Sequence, residues 1–302
     1  NNCLGRKYDG MNNCDVNPTA GAELWTVRTP EPKEARKVLV VGGGPAGMQA
    51  AITAAERGHR VVLAEATDSL GGALKFSFND DHKTDLAGFA SWLRYQVFKH
   101  AVDVRLDTAV DAYFIEKEKP YAVICAVGAE PIRPSFPGLD ALPRFFATDV
   151  YLNPEAVQGN EPVIVGGGLV GCEVGIFLAS RGKNVTILEM GPEFAPDANI
   201  IHRDSMNEAI REVGDRLRIL TGRKCEAITA AGVKVRGVDG TEDVVGADCV
   251  ICAMGFTPKY ESVLALQRAK GVTKFFAAGD CRVSSRVKNA IHGGYYAAMD
   301  IV

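Results

Sequence analysis

The sequence contains no apolar run long enough to cross a bilayer, no evident signal peptide and no run of basic residues. Its 34 Lys and Arg residues stand against 37 Asp and Glu residues, and the net charge of −3 gives little electrostatic support for binding nucleic acid or a membrane surface. A hydrophobic content of 47% over 302 residues is enough for a sizeable core in two domains. These features predict a soluble globular protein of the cytoplasm.

The eight cysteines are scattered along the chain and form no pattern typical of a disulfide framework. Cys249 and Cys252 have the spacing of a redox C-x-x-C motif, but they lie inside the apolar run ADCVICAMG, which is not a helix start. Cys125 lies in a similar apolar run. The prediction for all three thiols is therefore a packing role in the core.

Residues 37–72 have the pattern of a phosphate-binding βαβ unit. An apolar run leads into Gly42, Gly44 and Gly47, an alanine-rich helix follows, and a second apolar run ends at Glu65. In such a unit the first glycine permits a tight turn, the second lets the backbone approach a pyrophosphate, and the third lets the helix pack against the strand. The helix N-terminus then faces the phosphate charge, and Glu65 can accept both hydroxyls of an adenosine ribose.

The same pattern recurs 124 residues later in the chain. The turn glycines, the Arg-Gly pair at the helix end and the acidic residue of the first unit all have counterparts at that offset. These are Gly166, Gly168 and Gly171 in the turn, Arg181-Gly182 at the helix end and Glu189 at the end of the second strand. Chance cannot plausibly set two glycine turns, two helix ends and two acidic residues in one register. The sequence therefore predicts two dinucleotide-binding units.

Two further segments carry candidate site residues. Cys3 and Cys14 lie in a turn-rich N-terminal stretch, where two thiolates cannot complete a four-ligand zinc or iron–sulfur site. Either more ligands lie upstream or both are ordinary loop cysteines. Near the C-terminus an apolar strand leads into Gly279 and Asp280, and a helix is predicted to begin near Asn289. Asp280 could hydrogen-bond the polyol of a cofactor, and a plain turn residue is the alternative.

The motifs GGGPAGMQAA, CAVGAEP, GGGLVGCE and AAGDC, together with the segment NAIHGG, resemble flavoproteins with two dinucleotide-binding domains. Cys3, Cys14 and the following Asn17-Pro18 resemble the last ligands of a [4Fe–4S] cluster in the group of 2-enoate reductases, 2,4-dienoyl-CoA reductases and trimethylamine dehydrogenase. The resemblance implies an α/β fold with two Rossmann-like domains. The implied domains are an iron–sulfur loop and linker at 1–35, an FAD-binding domain at 36–155 plus 272–302, and an NAD(P)H-binding domain at 156–271.

The resemblance also implies which residues hold the cofactors. The FAD-binding residues would be Gly42, Gly44, Pro45, Ala46, Gly47, Glu65, Ala66, Gly71, Gly72, Val110, Ala126, Val127 and Gly128. The NAD(H)-binding residues would be Gly166, Gly168, Leu169, Val170, Gly171, Glu189, Ala253, Met254 and Gly255. A segment that returns to the flavin would supply Gly279, Asp280, Asn289 and Ala290. Cys3 and Cys14 would be metal ligands, and no residue is assigned as a catalytic acid, base or nucleophile.

Two turns depart from the pattern of that group. The usual Ala-Thr-Gly is replaced by Ala126-Val127-Gly128 and by Ala253-Met254-Gly255, so any contact from a threonine hydroxyl is lost. The second glycine turn is intact here, whereas it is degraded in trimethylamine dehydrogenase. The intact turn indicates a working pyridine-nucleotide site.

The implied function is hydride transfer from NADH to FAD, followed by electron transfer through the cluster to an upstream FMN barrel that reduces an activated alkene, an enoate or an enoyl-CoA. Glu189 favours NADH because its carboxylate would repel a 2′-phosphate, and Arg181 is the residue that could argue for NADPH. Homo-oligomer formation is left open. Alternatives are an electron-donor subunit resembling the small subunit of glutamate synthase and a non-catalytic module that holds ADP.

Overall fold

The structure, a computed structural model, describes residues 14–302 of the chain, and Cys3 therefore lies outside the described residues. The helices are α1 (Glu23–Arg28), α2 (Pro45–Glu56), α3 (Thr84–Lys99), α4 (Ala112–Glu118), α5 (Ala147–Leu152), α6 (Leu169–Ser180), α7 (Ile200–Val213), α8 (Tyr260–Gln267) and α9 (Val287–Met299). Over this part of the chain, no helix has both the length and the apolar character that crossing a membrane requires.

The chain has fifteen short strands over the described residues. They are β1 (Lys37–Val41), β2 (Arg60–Ala64), β3 (Asp103–Arg105), β4 (Ala122–Cys125), β5 (Ala129–Pro131), β6 (Arg144–Phe146), β7 (Pro162–Val165), β8 (Val185–Leu188), β9 (Leu217–Leu220), β10 (Arg223–Thr229), β11 (Gly232–Gly237), β12 (Glu242–Val245), β13 (Cys249–Cys252), β14 (Phe256–Pro258) and β15 (Lys274–Ala277). β5 and β14 pair with each other in a two-stranded sheet.

Five parallel strands form the first large sheet, in the order β15-β4-β1-β2-β3. β1 lies in the middle, with Leu39 opposite Val62 of β2 and Val123 of β4. One face of the sheet packs against α2, α3 and α9, and the other packs against α4 and α8. Both faces are therefore buried, which explains why the inner strands β1, β2 and β4 are apolar runs with no polar alternation.

The second large sheet repeats this arrangement in the order β6-β13-β7-β8-β9, again with all strands parallel. β7 takes the central place of β1, and Ile164 lies opposite Ile187 of β8 and Ile251 of β13. A three-stranded antiparallel sheet, β10-β11-β12, follows β9 in the chain and packs Val233 against this core. The predicted α/β fold with two Rossmann-like sheets is confirmed, and each central strand ends where such folds bind nucleotides.

The chain divides into two compact units, one comprising Pro131–Phe256 and the other comprising 14–130 together with Thr257–Val302. Both divisions come earlier in the chain than the predicted domain boundaries after residues 155 and 271. The first difference arises because β6 already belongs to the second sheet, where it pairs with β13. The second arises because α8 buries Leu266 in the core of the first sheet.

Helix α9 packs against the start of α2 with the two backbones in contact. A Cβ atom at Gly294 would collide with the carbonyl oxygen of Ala46 and would lie 3.2 Å from the amide nitrogen of Ala50. At the neighbouring Gly293, the nearest atom to such a Cβ would be 3.4 Å away, which is ordinary contact. Gly294 is therefore the residue that sets the distance between the two helices.

Gly294→Ala should destabilise the fold, because the added methyl group would push α9 away from α2. The expected decrease in the free energy of unfolding is about 1–3 kcal/mol, which is typical of overpacking. Gly293→Ala is the matched control in the same helix and should be neutral or stabilising by up to about 1 kcal/mol, since Ala favours helix over Gly. Urea unfolding followed by circular dichroism measures both, and equal stabilities of the two variants would contradict the close packing.

Candidate functional site

The loop after β1 brings three glycines into backbone contact with their surroundings. Gly42 has a φ of +105°, and a Cβ there would collide with the carbonyl oxygen of Ala126. A Cβ at Gly47 would collide with the carbonyl oxygen of Gly42, so the first turn of α2 packs directly on the loop. Gly44 is the N-cap of α2, where the helix presents unpaired amides and the positive end of its dipole. The tight turn at Gly42 and the close packing at Gly47 are thus present, while the approach of a pyrophosphate to Gly44 stays a prediction.

Glu65 is held in place by the backbone of the loop. Its Oε2 accepts a hydrogen bond from the amide of Gly43 at 2.6 Å, and its Oε1 accepts from the amide and the hydroxyl of Thr67, both at 2.8 Å. A carboxylate has about four acceptor positions, so accepting capacity remains for a ribose hydroxyl. A Cβ at Gly43 would lie 3.1 Å from the Cβ of Glu65, so a larger residue there would displace the carboxylate.

The role of Gly43 was not foreseen from the sequence. The signal that could have revealed it is the glycine triplet itself, since Gly43 and its counterpart Gly167 stand 124 residues apart within two GGG runs. Only the outer glycines of each triplet belong to the usual spacing.

Gly71 and Gly72 bring a second backbone segment up to the loop. Gly71 has a φ of +131°, and its amide donates to the carbonyl of Gly43 at 2.8 Å. A Cβ at Gly72 would lie 2.7 Å from the Cα of Gly44. Arg94 on α3 fixes the segment, because its Nε and Nη2 donate to the carbonyl of Leu70 at 2.9 and 2.5 Å. The glycine pair therefore packs closely on the loop, and its predicted approach to a ligand stays a prediction.

The loop after β7 has the same geometry as the loop after β1. Gly166 has a φ of +112°, and a Cβ there would collide with the carbonyl oxygen of Ala253, while one at Gly171 would collide with that of Gly166. Gly168 is the N-cap of α6, and no atom would lie within 4 Å of a Cβ placed on it. Open space beside a glycine loop and a helix N-terminus fits a pyrophosphate.

Glu189 repeats the anchoring of Glu65. Its Oε2 accepts from the amide of Gly167 at 2.8 Å, and its Oε1 accepts from the amide of Gly191 at 2.6 Å. About two of its four acceptor positions therefore remain, enough for the two hydroxyls of a ribose. The carboxylate is oriented by the backbone before any nucleotide arrives.

Arg181, which could have argued for NADPH, lies at the far end of α6 from this loop. It is the C-cap residue, its guanidinium stands 3.7 Å above the ring of Phe177, and its Nη1 donates to the carbonyl of Phe177 at 3.4 Å. The helix has 12 residues and is about 18 Å long. Arg181 therefore cannot reach a 2′-phosphate beside Glu189.

The remaining predicted nucleotide-binding residues flank these two loops. Pro45 and Ala46 form the first turn of α2, Leu169 and Val170 form that of α6, and Ala66 directly follows Glu65. Val110 comes two residues after Thr108, whose amide donates to the carbonyl of Glu65 at 2.8 Å. Ala126 and Ala253 donate their amides to the last residues of β1 and β7, and they lead into Val127-Gly128 and Met254-Gly255, where the two glycines have φ values of +75° and +94°.

Asp280 lies in a 3₁₀ turn (Gly279–Cys281) between β15 and α9 and is half-buried. Its Oδ1 accepts from the amide of Ser285 at 3.1 Å, and burial raises the pKa of its carboxyl above the ordinary value while that hydrogen bond opposes the shift. A Cβ at Gly279 would lie 2.7 Å from the Cβ of Ala46, so this turn rests on the start of α2. Helix α9 begins at Val287 and has Asn289 and Ala290 in its first turn.

Cys14 lies on a loop that reaches helix α9. Its thiol is free and partly exposed, and Nε2 of His292 stands 2.8 Å from its carbonyl oxygen. Among residues 14–302, no three His, Cys, Asp or Glu side chains are grouped so that they could hold a metal ion. The described residues therefore supply one thiol toward the expected cluster and do not form a metal site by themselves.

A pair of buried thiols beside the first loop was missed by the sequence reasoning. The Sγ of Cys281 donates to the carbonyl oxygens of Cys125 at 3.3 Å and of Ala278 at 3.2 Å. The neighbouring thiol of Cys281 and, after it, burial raise the pKa of the Cys125 thiol. The partners are 156 residues apart, and no local pattern joins them. Cys249 and Cys252 are buried in β13, as predicted.

The sequence matches the pyridine nucleotide-disulphide oxidoreductase family over residues 36–294. It is 36% identical over 304 aligned residues to an NADH oxidase of Thermoanaerobacter brockii, in a match that covers 99% of this chain and 46% of that protein. It is 35% identical to a bilirubin reductase of Mediterraneibacter gnavus, with 94% of this chain and 44% of that protein covered. The chain thus spans less than half the length of these relatives.

Solved structures similar to this chain include reductases of the same kind as its sequence relatives. A 2-naphthoyl-CoA reductase superposes with a TM-score of 0.88 at 29% identity, over 95% of this chain and 43% of that one. A histamine dehydrogenase from Rhizobium shares the fold, with a TM-score of 0.84 at 21% identity over 95% of this chain and 48% of that one. The resemblance to enoate-reductase-type flavoproteins is confirmed, and FAD and NAD(H) are the nucleotides of the matched family. The chain belongs to the pyridine nucleotide-disulphide oxidoreductase family, and it is similar to the corresponding part of reductases of the enoate-reductase group.

Proposed function

We propose that the chain is an NADH-dependent flavoprotein module that takes hydride from NADH onto FAD and delivers the electrons onward. The observation that carries this proposal is the presence of two equivalent cradles. In each, a glycine loop opens onto a helix N-terminus beside a carboxylate held by the amide of the middle glycine, Glu65 by Gly43 and Glu189 by Gly167. One cradle would serve a single nucleotide, whereas two serve a donor and an acceptor.

FAD is assigned to the first cradle. The glycine pair Gly71-Gly72 and the half-buried Asp280 both lie at its helix start, and they provide the further close approach and the polar side chain that an extended flavin dinucleotide needs. Val110 and the turn at Ala126 complete the residues proposed for this site. NADH is assigned to the second cradle, where Glu189 keeps two acceptor positions for ribose hydroxyls and would repel a 2′-phosphate.

The side chains of this module would bind and orient, and they would not react. The bound nucleotides supply the hydride chemistry between nicotinamide and flavin. The amides at the starts of α2 and α6 would hold the pyrophosphates, and Glu65 and Glu189 would fix the two adenosine riboses. Asp280 would hydrogen-bond a hydroxyl of the flavin side chain, in a place where burial weakens its acidity.

For the whole protein we propose reduction of an activated alkene. Relatives are named as reductases of bilirubin, of cinnamate (30% identical, from Clostridium sporogenes) and of 2-naphthoyl-CoA, and cinnamate is itself a 2-enoate. The same proposal includes a [4Fe–4S] cluster with Cys3 and Cys14 among its ligands and an FMN barrel in the same polypeptide. It is supported by relatives more than twice the length of this chain.

Glu189→Gln should raise the KM for NADH about tenfold and relax discrimination against NADPH. The substitution removes the negative charge of the carboxylate that would accept hydrogen bonds from the ribose hydroxyls. Hydrogen bonds to a charged group contribute roughly 1.5–3 kcal/mol. Steady-state NADH and NADPH oxidation by the FAD-loaded chain, with ferricyanide as acceptor, gives both constants. If the unaltered protein already prefers NADPH, the assignment of Glu189 is wrong.

Glu65→Gln is the matched comparison, because Glu65 has the same anchoring in the other cradle. It should lower the FAD content of the purified protein, measured by the flavin absorbance per chain. The two substitutions should therefore have different effects: Glu189→Gln should raise the KM for NADH, and Glu65→Gln should lower the FAD content. The reverse pattern would show that the two cradles have been assigned in the wrong order.

Cys14→Ala or Cys3→Ala in the full-length protein should remove most of the iron and the broad visible absorbance of an iron–sulfur centre. Cys172→Ala is the control, because that thiol is buried, donates to the carbonyl of Gly167 at 3.3 Å and has a pKa raised to about 12 by burial. Iron is measured by colorimetric assay. Unchanged iron in both Cys14→Ala and Cys3→Ala would reject the ligand assignment.

A further inference from the structure

The correspondence between the two cradles continues past their carboxylates. The amide of Gly71 donates to the carbonyl of Gly43 at 2.8 Å, and the amide of Ala195, which stands 124 residues later, donates to the carbonyl of Gly167 at 2.7 Å. Both donors have a positive φ, +131° at Gly71 and +42° at Ala195. In each unit the segment after the second strand therefore returns to rest on the middle glycine of the loop.

The residues that follow this shared contact differ in chemistry. In the first unit they are Gly72 and Ala73, which carry no polar side chain, and in the second they are Pro196 and Asp197. The carboxylate of Asp197 accepts a hydrogen bond from the amide of Leu169 at 3.3 Å.

Leu169 is the first residue of α6, so its amide is among those that the helix leaves unpaired at its N-terminus. At the corresponding place in α2 stands Pro45, which has no amide hydrogen to offer. The second cradle therefore has one more amide donor than the first, and the carboxylate of Asp197 already accepts its hydrogen bond.

We propose that Asp197 is a built-in competitor of the NADH pyrophosphate, occupying the first amide of α6 in the free protein and giving it up when the nucleotide binds. This inference rests on the proposed function, because it takes the second cradle as the NADH site. The positive end of the helix attracts the carboxylate for the same reason that it attracts phosphate oxygens. Asp197 is also exposed, so it can leave the helix without opening the core.

The charges around this helix start strengthen the competition. Besides Asp197, the acidic side chains Glu189 and Glu173 act on the buried thiol of Cys172 and raise its pKa, after burial as the larger cause. Arg203 is a nearby cation, and it is bound to Glu193 at 2.9 Å and to the carbonyl of Ala195 at 3.0 Å. Nε2 of His202 stands 3.2 Å from the carboxylate of Glu173. A pyrophosphate with two negative charges therefore enters a region where the carboxylates repel it and weaken its binding.

The competition gives the two cradles different affinities. A cofactor that stays bound is held more tightly where no carboxylate follows the shared contact to occupy the helix start, as at Gly72 and Ala73. A substrate that must leave after each turnover gains from a carboxylate that takes back the helix amide as it departs. Asp197 thus adjusts the second cradle to a nucleotide that exchanges.

The test compares Asp197→Asn with Asp204→Asn in the FAD-loaded chain. Asn keeps the size and the acceptor oxygen of Asp197 but removes the charge. Asp204 is exposed on α7, seven residues later, and its substitution changes the net charge equally without touching the cradle. Dissociation constants for NADH and ADP-ribose, which carry the pyrophosphate, are measured by calorimetry with the FAD reduced beforehand under anaerobic conditions, so that NADH is not consumed. Adenosine, which lacks the pyrophosphate, is measured by saturation-transfer NMR.

Asp197→Asn should tighten the binding of NADH and ADP-ribose about five- to tenfold at low salt, with a smaller gain at roughly 0.5 M salt, and should leave adenosine unchanged. Asp204→Asn should give the affinities of the unaltered chain. Unchanged or weaker binding of NADH by both Asp197→Asn and Asp197→Ala would overturn the inference while leaving the proposed function intact. A chain in which neither the unaltered protein nor any variant binds NADH would contradict the proposed function, and the inference with it.

Discussion

Both cradles depend on one hydrogen bond, from the amide of the middle glycine of the loop to the carboxylate at the end of the second strand. It joins Gly43 to Glu65 at 2.6 Å and Gly167 to Glu189 at 2.8 Å. The bond connects the turn after one strand to the tip of the next, so the acid is fixed at the place where a ribose would lie. It also explains the glycine triplets, because a Cβ on either middle glycine would lie against the Cβ of its glutamate.

The surroundings of that bond make two similar cradles unequal. In the first unit, backbone contacts at Gly294 and Gly279 hold the turn of Asp280 on the start of α2, and the neighbouring segment offers only small residues. In the second unit, the neighbouring segment carries Asp197 to the start of α6. The helix dipole is common to both, and the difference lies in whether a carboxylate of the protein accepts a hydrogen bond from the first amide of the helix. The proposed assignment has a cofactor that stays bound in the first cradle and a nucleotide that exchanges in the second.

Much of the fold and of the site could be predicted because it is encoded by neighbouring residues. Parallel strands buried on both faces appear as apolar runs, and tight loops need glycine where φ is positive, as at Gly42 and Gly166. The 124-residue register then revealed the duplication without any structure. The roles of Gly43 and Gly167 could have been found in the same way, since the signal was present in both triplets.

Other features were decided by tertiary structure alone, because they join residues that no local rule connects. α8 packs on the first sheet although it follows the second in the chain, and Cys125 meets Cys281 across 156 residues. Arg181 lies near Glu189 in sequence, yet the length of α6 separates them. Sequence by itself determined two glycine loops and the acidic residues beside them, since backbone conformation is a local property. Which side chains then share each loop, Asp280 at one and Asp197 at the other, was settled by how distant segments pack.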